Sequence, residues 1–122
     1  LVAHCLAAVA ERLDGETASW DPRRSVGVVL AAGGYPGDYP KGDVIAGLPE
    51  QDADDRKIFH AGTVLKDGKV ATAGGRVLCA TALGNSVAEA QAAAYQLAAQ
   101  VSWDGMFCRH DIGYRAIARE QA

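Results

Sequence analysis

Two glycine-rich segments hold the residues whose types and spacing could bind an anion. The first, GGYPGDYPKG over residues 33–42, contains Gly33, Gly34 and Gly37. Glycine permits positive φ angles and a close backbone approach, so these amides could form an anion-binding nest. The segment is not a P-loop, because a glycine and not a serine or threonine follows Lys41. A sharp connection between two strands is the alternative, which the residues alone favour.

The second segment, Gly74-Gly75-Arg76, brings an arginine into a strand directly behind two glycines. A guanidinium fork suits a phosphate or a carboxylate, and the glycine amides could assist it. A β-bulge followed by a surface arginine in a salt bridge fits these residues equally well. Two glycine-rich loops in one small chain nevertheless suggest a shared anionic ligand.

The remaining chemistry-bearing side chains have plainer interpretations. His60 is predicted to be a hydrogen-bonded core residue, and Asp111 with Arg115, four residues apart, an ion pair on a helix. Lys66 and Lys69 flank a hairpin tip, where carrier domains display a lipoyl or biotinyl lysine, but no methionine flanks them. No motif for nucleophilic catalysis or metal binding stands out, so the sequence predicts binding loops without catalytic residues and without a metal site.

Length and charge narrow the function classes. A chain of 122 residues forms one domain, and its 49% hydrophobic and 22% charged residues indicate an ordinary globular protein. The net charge of −3 removes the electrostatic case for nucleic-acid or anionic-membrane binding. No apolar run is long enough to span a bilayer. Three cysteines without close spacing indicate reduced thiols in a cytosol.

The elements that must position the two loops follow from periodicity and turn signals. A helix is predicted over Leu1–Leu13, and a linker over Asp14–Arg24. Ser86 is predicted to cap the longest helix by accepting a hydrogen bond from the amide of Glu89, whose carboxylate can reach back to complete a capping box. The predicted strands are 25–32 (buried on both faces), 44–48, 57–65, 70–72 and 76–83, with a hairpin turn at 66–69 and an extended stretch at 106–109. This order predicts an α+β fold: a mainly antiparallel sheet or partial barrel packed with one long helix.

Several motifs in order then resemble a known family. They are GVVLAAGGYPGDYPKGDVIAGLP, FHAGT, GGRVLCATALG, the capped alanine-rich helix and WDGMFCRHDIGYRAIARE. Together they resemble phosphoribosylamine–glycine ligase, also called glycinamide ribonucleotide synthetase, over nearly the whole chain. The resemblance is to the C-terminal part of that enzyme. It implies that residues 1–24 are the last helix of an ATP-grasp region with a linker, and that residues 25–122 are the C-terminal domain. The start inside a helix without methionine makes us expect a fragment.

The resemblance implies a cytoplasmic ligase of de novo purine biosynthesis. Such an enzyme joins glycine to 5-phosphoribosylamine through glycyl phosphate, using ATP with Mg²⁺ or Mn²⁺. In the family the ATP clamp and metal ligands lie upstream, so we expect the fragment alone to be inactive and to hold no cofactor. Its implied partners are the upstream ATP-grasp and N-terminal domains and the two substrates.

The resemblance also implies that the domain closes the active site and helps to bind the ribose phosphate. Arg76 with the amides of Gly74 and Gly75 is expected to hold the 5′-phosphate of the substrate or a neighbouring anion. The loop expected to wall the site comprises Gly33, Gly34, Tyr35, Pro36 and Gly37. Two alternatives stay open: a non-catalytic biotinyl- or lipoyl-like carrier or binding module, and an interaction domain.

Overall fold

The computed structural model describes residues 1–122 and contains three α-helices and five β-strands. In chain order they are α1 (Val2–Val9), β1 (Arg24–Ala31), β2 (Arg56–His60), β3 (Thr63–Lys66), β4 (Lys69–Thr72), β5 (Arg76–Gly84), α2 (Val87–Ala98) and α3 (Tyr114–Glu120), with a 3₁₀ turn at Leu13–Gly15. The predicted α+β class is confirmed: both sheets are antiparallel, and neither closes into a barrel. None of the helices has the length and apolar character needed to cross a membrane.

The central sheet has the strand order β1-β5-β2, and α2 packs on one of its faces. The contact is built from Val28 and Ala80 on the sheet and Ala90 and Ala94 on the helix, all with 0% exposure. Alanine side chains let the helix approach the sheet closely, and they favour the helix intrinsically. The core therefore forms between α2 and one face of the sheet.

The prediction that β1 is buried on both faces is wrong. Val26, Val28 and Leu30 are buried beneath α2, whereas Gly27 and Val29 point to the other face and are exposed. An antiparallel sheet can leave one face to solvent, and no second helix layer covers this one. The outer face of the central sheet is therefore open.

The prediction of a single strand over residues 57–65 is also wrong, because the β-strand is interrupted at Ala61 and Gly62. The amides of both residues donate to the Val77 carbonyl, each at 3.0 Å, and the chain then leaves the central sheet to form the β3–β4 hairpin. A Cβ on Gly62 would lie 2.7 Å from the Arg76 carbonyl oxygen. Glycine permits this backbone crossing, which a longer residue would block.

The turns and caps that the sequence predicts do form. Asp67 and Gly68 have φ angles of 51° and 74°, as the tip of the β3–β4 hairpin requires. The Ser86 hydroxyl accepts a hydrogen bond from the Glu89 amide at 3.1 Å, and the Glu89 carboxylate accepts one from the Asn85 amide at 2.9 Å. The N-terminus of α2 is thus held by two side chains.

Three predicted elements are shorter in the structure. The N-terminal helix ends at Val9 and not at Leu13, and Leu6 on its apolar face is 64% exposed. The strand predicted over 44–48 is reduced to two isolated bridges, which pair Val44 with Ala71 and Ala46 with Ser102. The extended stretch at 106–109 contributes one bridge, between Phe107 and Ala31.

Candidate functional site

The two glycine-rich segments meet at the end of the β1–β5 ladder. The Ala32 amide donates to the Gly75 carbonyl at 2.8 Å, which continues the pairing of the two strands into the loops that follow β1 and precede β5. The Tyr35 ring lies against Gly75, so closely that a Cβ on Gly75 would be 2.3 Å from Tyr35 Cδ2. A shared location, which the sequence only suggested, is therefore present in the structure.

Between these loops lies a cleft of about 450 Å³, which we call the Arg76 cleft. This volume is within the range of small-molecule sites. Arg76 is its only charged side chain. The lining residues are Val29, Tyr35, Tyr39, Ala61, Gly62, Gly74, Gly75, Arg76, Leu78 and Cys79.

The Arg76 side chain is exposed and makes no ion pair, because the five ion pairs of the chain all involve other residues. Of the alternative, a β-bulge followed by a surface arginine in a salt bridge, the irregular strand pairing between Leu30 and Ala31 and the surface arginine are present, whereas the salt bridge is absent. An arginine without an internal partner keeps its donors for a ligand, and its planar fork matches the oxygens of a phosphate or carboxylate.

The glycine amides divide into engaged and free donors. The Gly74 amide donates to the Gly62 carbonyl at 3.1 Å, whereas the Gly75 amide has no acceptor within the chain. In the first loop the Gly37 amide is used in the turn, where it donates to the Gly34 carbonyl at 2.8 Å. Gly75 thus lines the Arg76 cleft with an amide that no group of the chain accepts.

Half of the residues predicted for the site line this cleft: Arg76, Gly74, Gly75 and Tyr35. The other four, which do not line it, are Gly33, Gly34, Pro36 and Gly37. These form the turn that presents Tyr35. A Cβ on Gly33 would lie 2.9 Å from the Gly105 carbonyl oxygen, and Gly34 has a φ of +94° that suits glycine.

Sequence reasoning missed six of the lining residues, among them Tyr39 and Gly62. Tyr39 stands four residues after Tyr35, and the two ring centroids are 6.3 Å apart. A glycine in the middle of an apparent strand was the signal for Gly62, since such a glycine often marks a close backbone approach. Of the others, Val29 and Cys79 come from the outer face of the central sheet, which was predicted to be buried for the strand that holds Val29, and Ala61 comes from the break after β2. Leu78 is a core residue that reaches the cleft from β5.

Two other predicted side chains lie elsewhere. His60 is exposed and not in the core, but it is hydrogen-bonded, since its Nδ1 lies 3.0 Å from Thr63 Oγ1. The predicted Asp111–Arg115 pair is wrong, because α3 begins only at Tyr114 and Asp111 lies before it. Asp111 pairs instead with Arg109 at 2.6 Å, and these hydrogen bonds hold the pKa of its carboxyl below the ordinary value.

No group of three or more histidine, cysteine, aspartate or glutamate side chains is placed to hold a metal ion. The three cysteines are free thiols, and burial raises the pKa of Cys108 above its ordinary value. This arrangement provides no set of groups for metal chemistry within the chain. What the Arg76 cleft can do is bind an anionic small molecule.

Comparisons with known proteins agree with one another. The family described as phosphoribosylglycinamide synthetase, C domain, matches residues 25–115. A phosphoribosylamine–glycine ligase of Vibrio cholerae is 67% identical over 122 residues, which are 100% of this chain and 28% of that protein. One of Pseudomonas aeruginosa is 67% identical over 115 residues, 94% of this chain and 27% of that protein.

A solved structure gives the same result. The crystal structure of phosphoribosylamine–glycine ligase from Thermotoga maritima superposes with a TM-score of 0.71 at 40% identity, covering 88% of this chain and 27% of that one. The chain thus spans somewhat more than a quarter of the length of the relatives it matches. These similarities do not support the carrier alternative.

Proposed function

Because this chain belongs to the family of phosphoribosylglycinamide synthetase C domains, we propose that it takes part in the reaction for which its relatives are named. As the C-terminal domain of a complete ligase, it acts in purine biosynthesis, where glycine is joined to 5-phosphoribosylamine with ATP to give glycinamide ribonucleotide. The division into residues 1–24, from an ATP-grasp region, and residues 25–122, the C-terminal domain, is part of this proposal. In its support, the apolar side chains of α1 are largely exposed, and Ala7 is its only buried residue.

The role proposed for this chain is to hold the 5′-phosphate of phosphoribosylamine in the Arg76 cleft. The observation that carries the proposal is the unpaired Arg76 guanidinium in a cleft with no other charged side chain. A phosphate arrives strongly hydrated, so it needs fixed donors to offset the loss of water. Charge-assisted bonds from an arginine, helped by the free Gly75 amide, supply them.

Holding the ribose phosphate still contributes to the rate without any catalytic group from this chain. The substrate amine must meet the activated carboxyl group of glycine in the correct geometry. Fixing one reactant in advance removes part of the entropy cost of a reaction between two molecules. The anchored phosphate therefore orients the amine.

ATP, with Mg²⁺ or Mn²⁺, supplies the energy that activates the glycine carboxylate. The present residues include no suitable set of metal ligands, so we assign the nucleotide and the metal to the ATP-grasp part of the enzyme. The upstream domains are the partners of this chain, and they close over the outer face of the central sheet. Val29 and Phe59 on that face are 41% and 49% exposed, and exposed apolar side chains are what we expect of a surface that another domain covers. We place the enzyme in the cytoplasm, where its free thiols stay reduced.

The test is Arg76→Ala in the complete ligase, with the KM for phosphoribosylamine as the readout. Loss of a charge-assisted interaction worth about 1.5–3 kcal/mol should raise that KM roughly 10- to 100-fold. Arg23→Ala is the matched control, because Arg23 is an arginine outside the Arg76 cleft that pairs with Asp21. An unchanged KM in Arg76→Ala would show that the cleft does not hold the phosphate.

A further inference from the structure

Two tyrosines converge on Gly75, the residue that precedes Arg76. A Cβ built on Gly75 would lie 2.3 Å from Tyr35 Cδ2 and 2.9 Å from Tyr39 Cε1. Carbon atoms pack at about 3.5–4.0 Å, so neither ring could keep its place beside an alanine. The absence of a side chain at position 75 is therefore what admits both rings to the wall of the Arg76 cleft.

These rings offer the cleft both an aromatic surface and free polar groups. Their centroids are 6.3 Å apart and their planes are inclined by 56°. The tyrosine hydroxyls that form hydrogen bonds are those of Tyr95 and Tyr114, whereas those of Tyr35 and Tyr39 form none. A tyrosine presents an apolar ring and a hydroxyl that seeks a partner, which suits a ligand with the same two-sided character.

The other side chains of the cleft favour a ligand that carries an apolar part beside its charged group. Apart from Arg76, the lining consists of the two tyrosines, glycine backbone and the small or apolar side chains of Val29, Leu78, Ala61 and Cys79. An inorganic phosphate would use the guanidinium and the Gly75 amide, but it would leave the aromatic and apolar wall without contacts. A ligand with a carbon ring beside its phosphate would use both.

We propose that Tyr35 and Tyr39 form the platform for the sugar ring of a phosphorylated pentose, and that Gly75 is the positioning residue that holds Tyr35 there. This proposal rests on the proposed function, because it takes the phosphate of the same ligand to be bound by Arg76. The C–H face of a pentose packs against a tyrosine ring, and its hydroxyl groups exchange hydrogen bonds with the tyrosine hydroxyls. The cleft thereby selects phosphorylated sugars over other phosphate monoesters.

The experiment compares two competitive inhibitors of the complete ligase, ribose 5-phosphate and glycerol 3-phosphate. Both carry a phosphate monoester, but only the first has a sugar ring. Tyr35→Ala is expected to weaken inhibition by ribose 5-phosphate about tenfold while changing that by glycerol 3-phosphate less than about twofold. Tyr39→Ala should act in the same direction. Tyr35→Phe, which keeps the ring, is the matched control and should lose no more than about threefold.

Gly75→Ala tests the positioning role. It should weaken inhibition by ribose 5-phosphate about as much as Tyr35→Ala does, because the new methyl group displaces the Tyr35 ring. In the Tyr35→Ala background the same change should have little further effect, since the two substitutions remove one interaction. Fully additive losses would overturn the positioning role of Gly75.

The outcomes separate this inference from the proposed function. If Arg76→Ala weakens inhibition by both compounds, but Tyr35→Ala and Tyr39→Ala weaken inhibition by neither, the cleft binds phosphate and the proposed sugar platform is wrong. Equal weakening of both inhibitors by Tyr35→Ala would show that the ring only supports the loop, which also overturns the platform. If Arg76→Ala weakens neither inhibitor, the proposed function itself fails. Should Tyr35→Ala not fold, as thermal unfolding would reveal, Tyr39→Ala decides the same question.

Discussion

Gly62→Ala tests the backbone crossing that positions Arg76. The new methyl group would lie 2.7 Å from the Arg76 carbonyl oxygen and 2.9 Å from Gly74 Cα. Both atoms belong to the backbone, so neither can turn aside as the end of a flexible side chain would. Gly62 does not require a positive φ angle, and the whole penalty therefore arises from this contact.

The size of the effect follows from the cost of overpacking, which is typically about 1–3 kcal/mol. For a chain of this length each kcal/mol lowers the melting temperature by roughly 4 °C. We therefore expect Gly62→Ala to melt roughly 4–12 °C below the parent protein. Urea unfolding should show a lower midpoint with an unchanged slope, since the surface exposed on unfolding stays the same.

Gly15→Ala is the matched control for this prediction. A Cβ on Gly15 meets nothing within 4 Å, and its φ angle is not positive. The same substitution there should leave stability unchanged or raise it by about 0.4–1 kcal/mol, because it reduces the entropy of the unfolded chain. If Gly62→Ala is as stable as Gly15→Ala, the close approach of Gly62 to Gly74 and Arg76 does not constrain the fold, and this reasoning is refuted.

Two further predictions concern a surface ion pair and a helix cap. Hydrogen bonds from Arg23 lower the pKa of Asp21 from 3.8 to about 2, so the folded state favours the ionised carboxylate. The contribution of this ion pair to stability is therefore present above pH 3.8 and is lost as the pH falls towards 2. Because this pair is exposed, its contribution is small. In Asp21→Asn the urea midpoint should fall less steeply than in the parent protein as the pH is lowered over that range. The same pH dependence of the midpoint in both proteins would contradict this prediction. Ser86→Ala removes the hydroxyl that accepts from the Glu89 amide and should lower the free energy of unfolding by about 1 kcal/mol, measured by urea unfolding. No change in that variant would mean that water replaces the cap without cost.

Local signals predicted most of the elements correctly because their causes lie within a few residues. The Asp67-Gly68 turn needs only two residues that tolerate positive φ angles. The start of α2 needs only the hydrogen bonds that the Ser86 hydroxyl accepts from the Glu89 amide and that the Glu89 carboxylate accepts from the Asn85 amide. Such features do not depend on what the rest of the chain does, so their residue types suffice.

The errors arose where distant contacts decide. Residues 57–65 carry a continuous β-forming pattern, but the chain must pass across Gly74 and Arg76, and the strand breaks at Gly62. The burial of Val29 was mispredicted for a related reason, because only the number of layers packed on the sheet decides whether a second face is covered.

The candidate site shows the same division. The residues Gly74, Gly75 and Arg76 stood out because an arginine follows two glycines and because a second glycine-rich segment occurs in the same small chain. Tyr39 and Gly62 entered the cleft only through the fold, which brings together loops about 40 residues apart in the chain. Sequence reasoning thus named four of the cleft residues, Tyr35 among them, but not Tyr39, the second ring of the aromatic wall.

The hydrogen bond between the Ala32 amide and the Gly75 carbonyl also determines where the polypeptide can change length. It ties the cleft to the register of the first and last strands, so an insertion in the remote stretch from Pro49 to Asp55 would leave the cleft as it is. A single residue added between Ala32 and Tyr35 would instead move the aromatic ring away from the glycine it covers. Length variation among natural variants should therefore gather in the former segment and be rare in the latter.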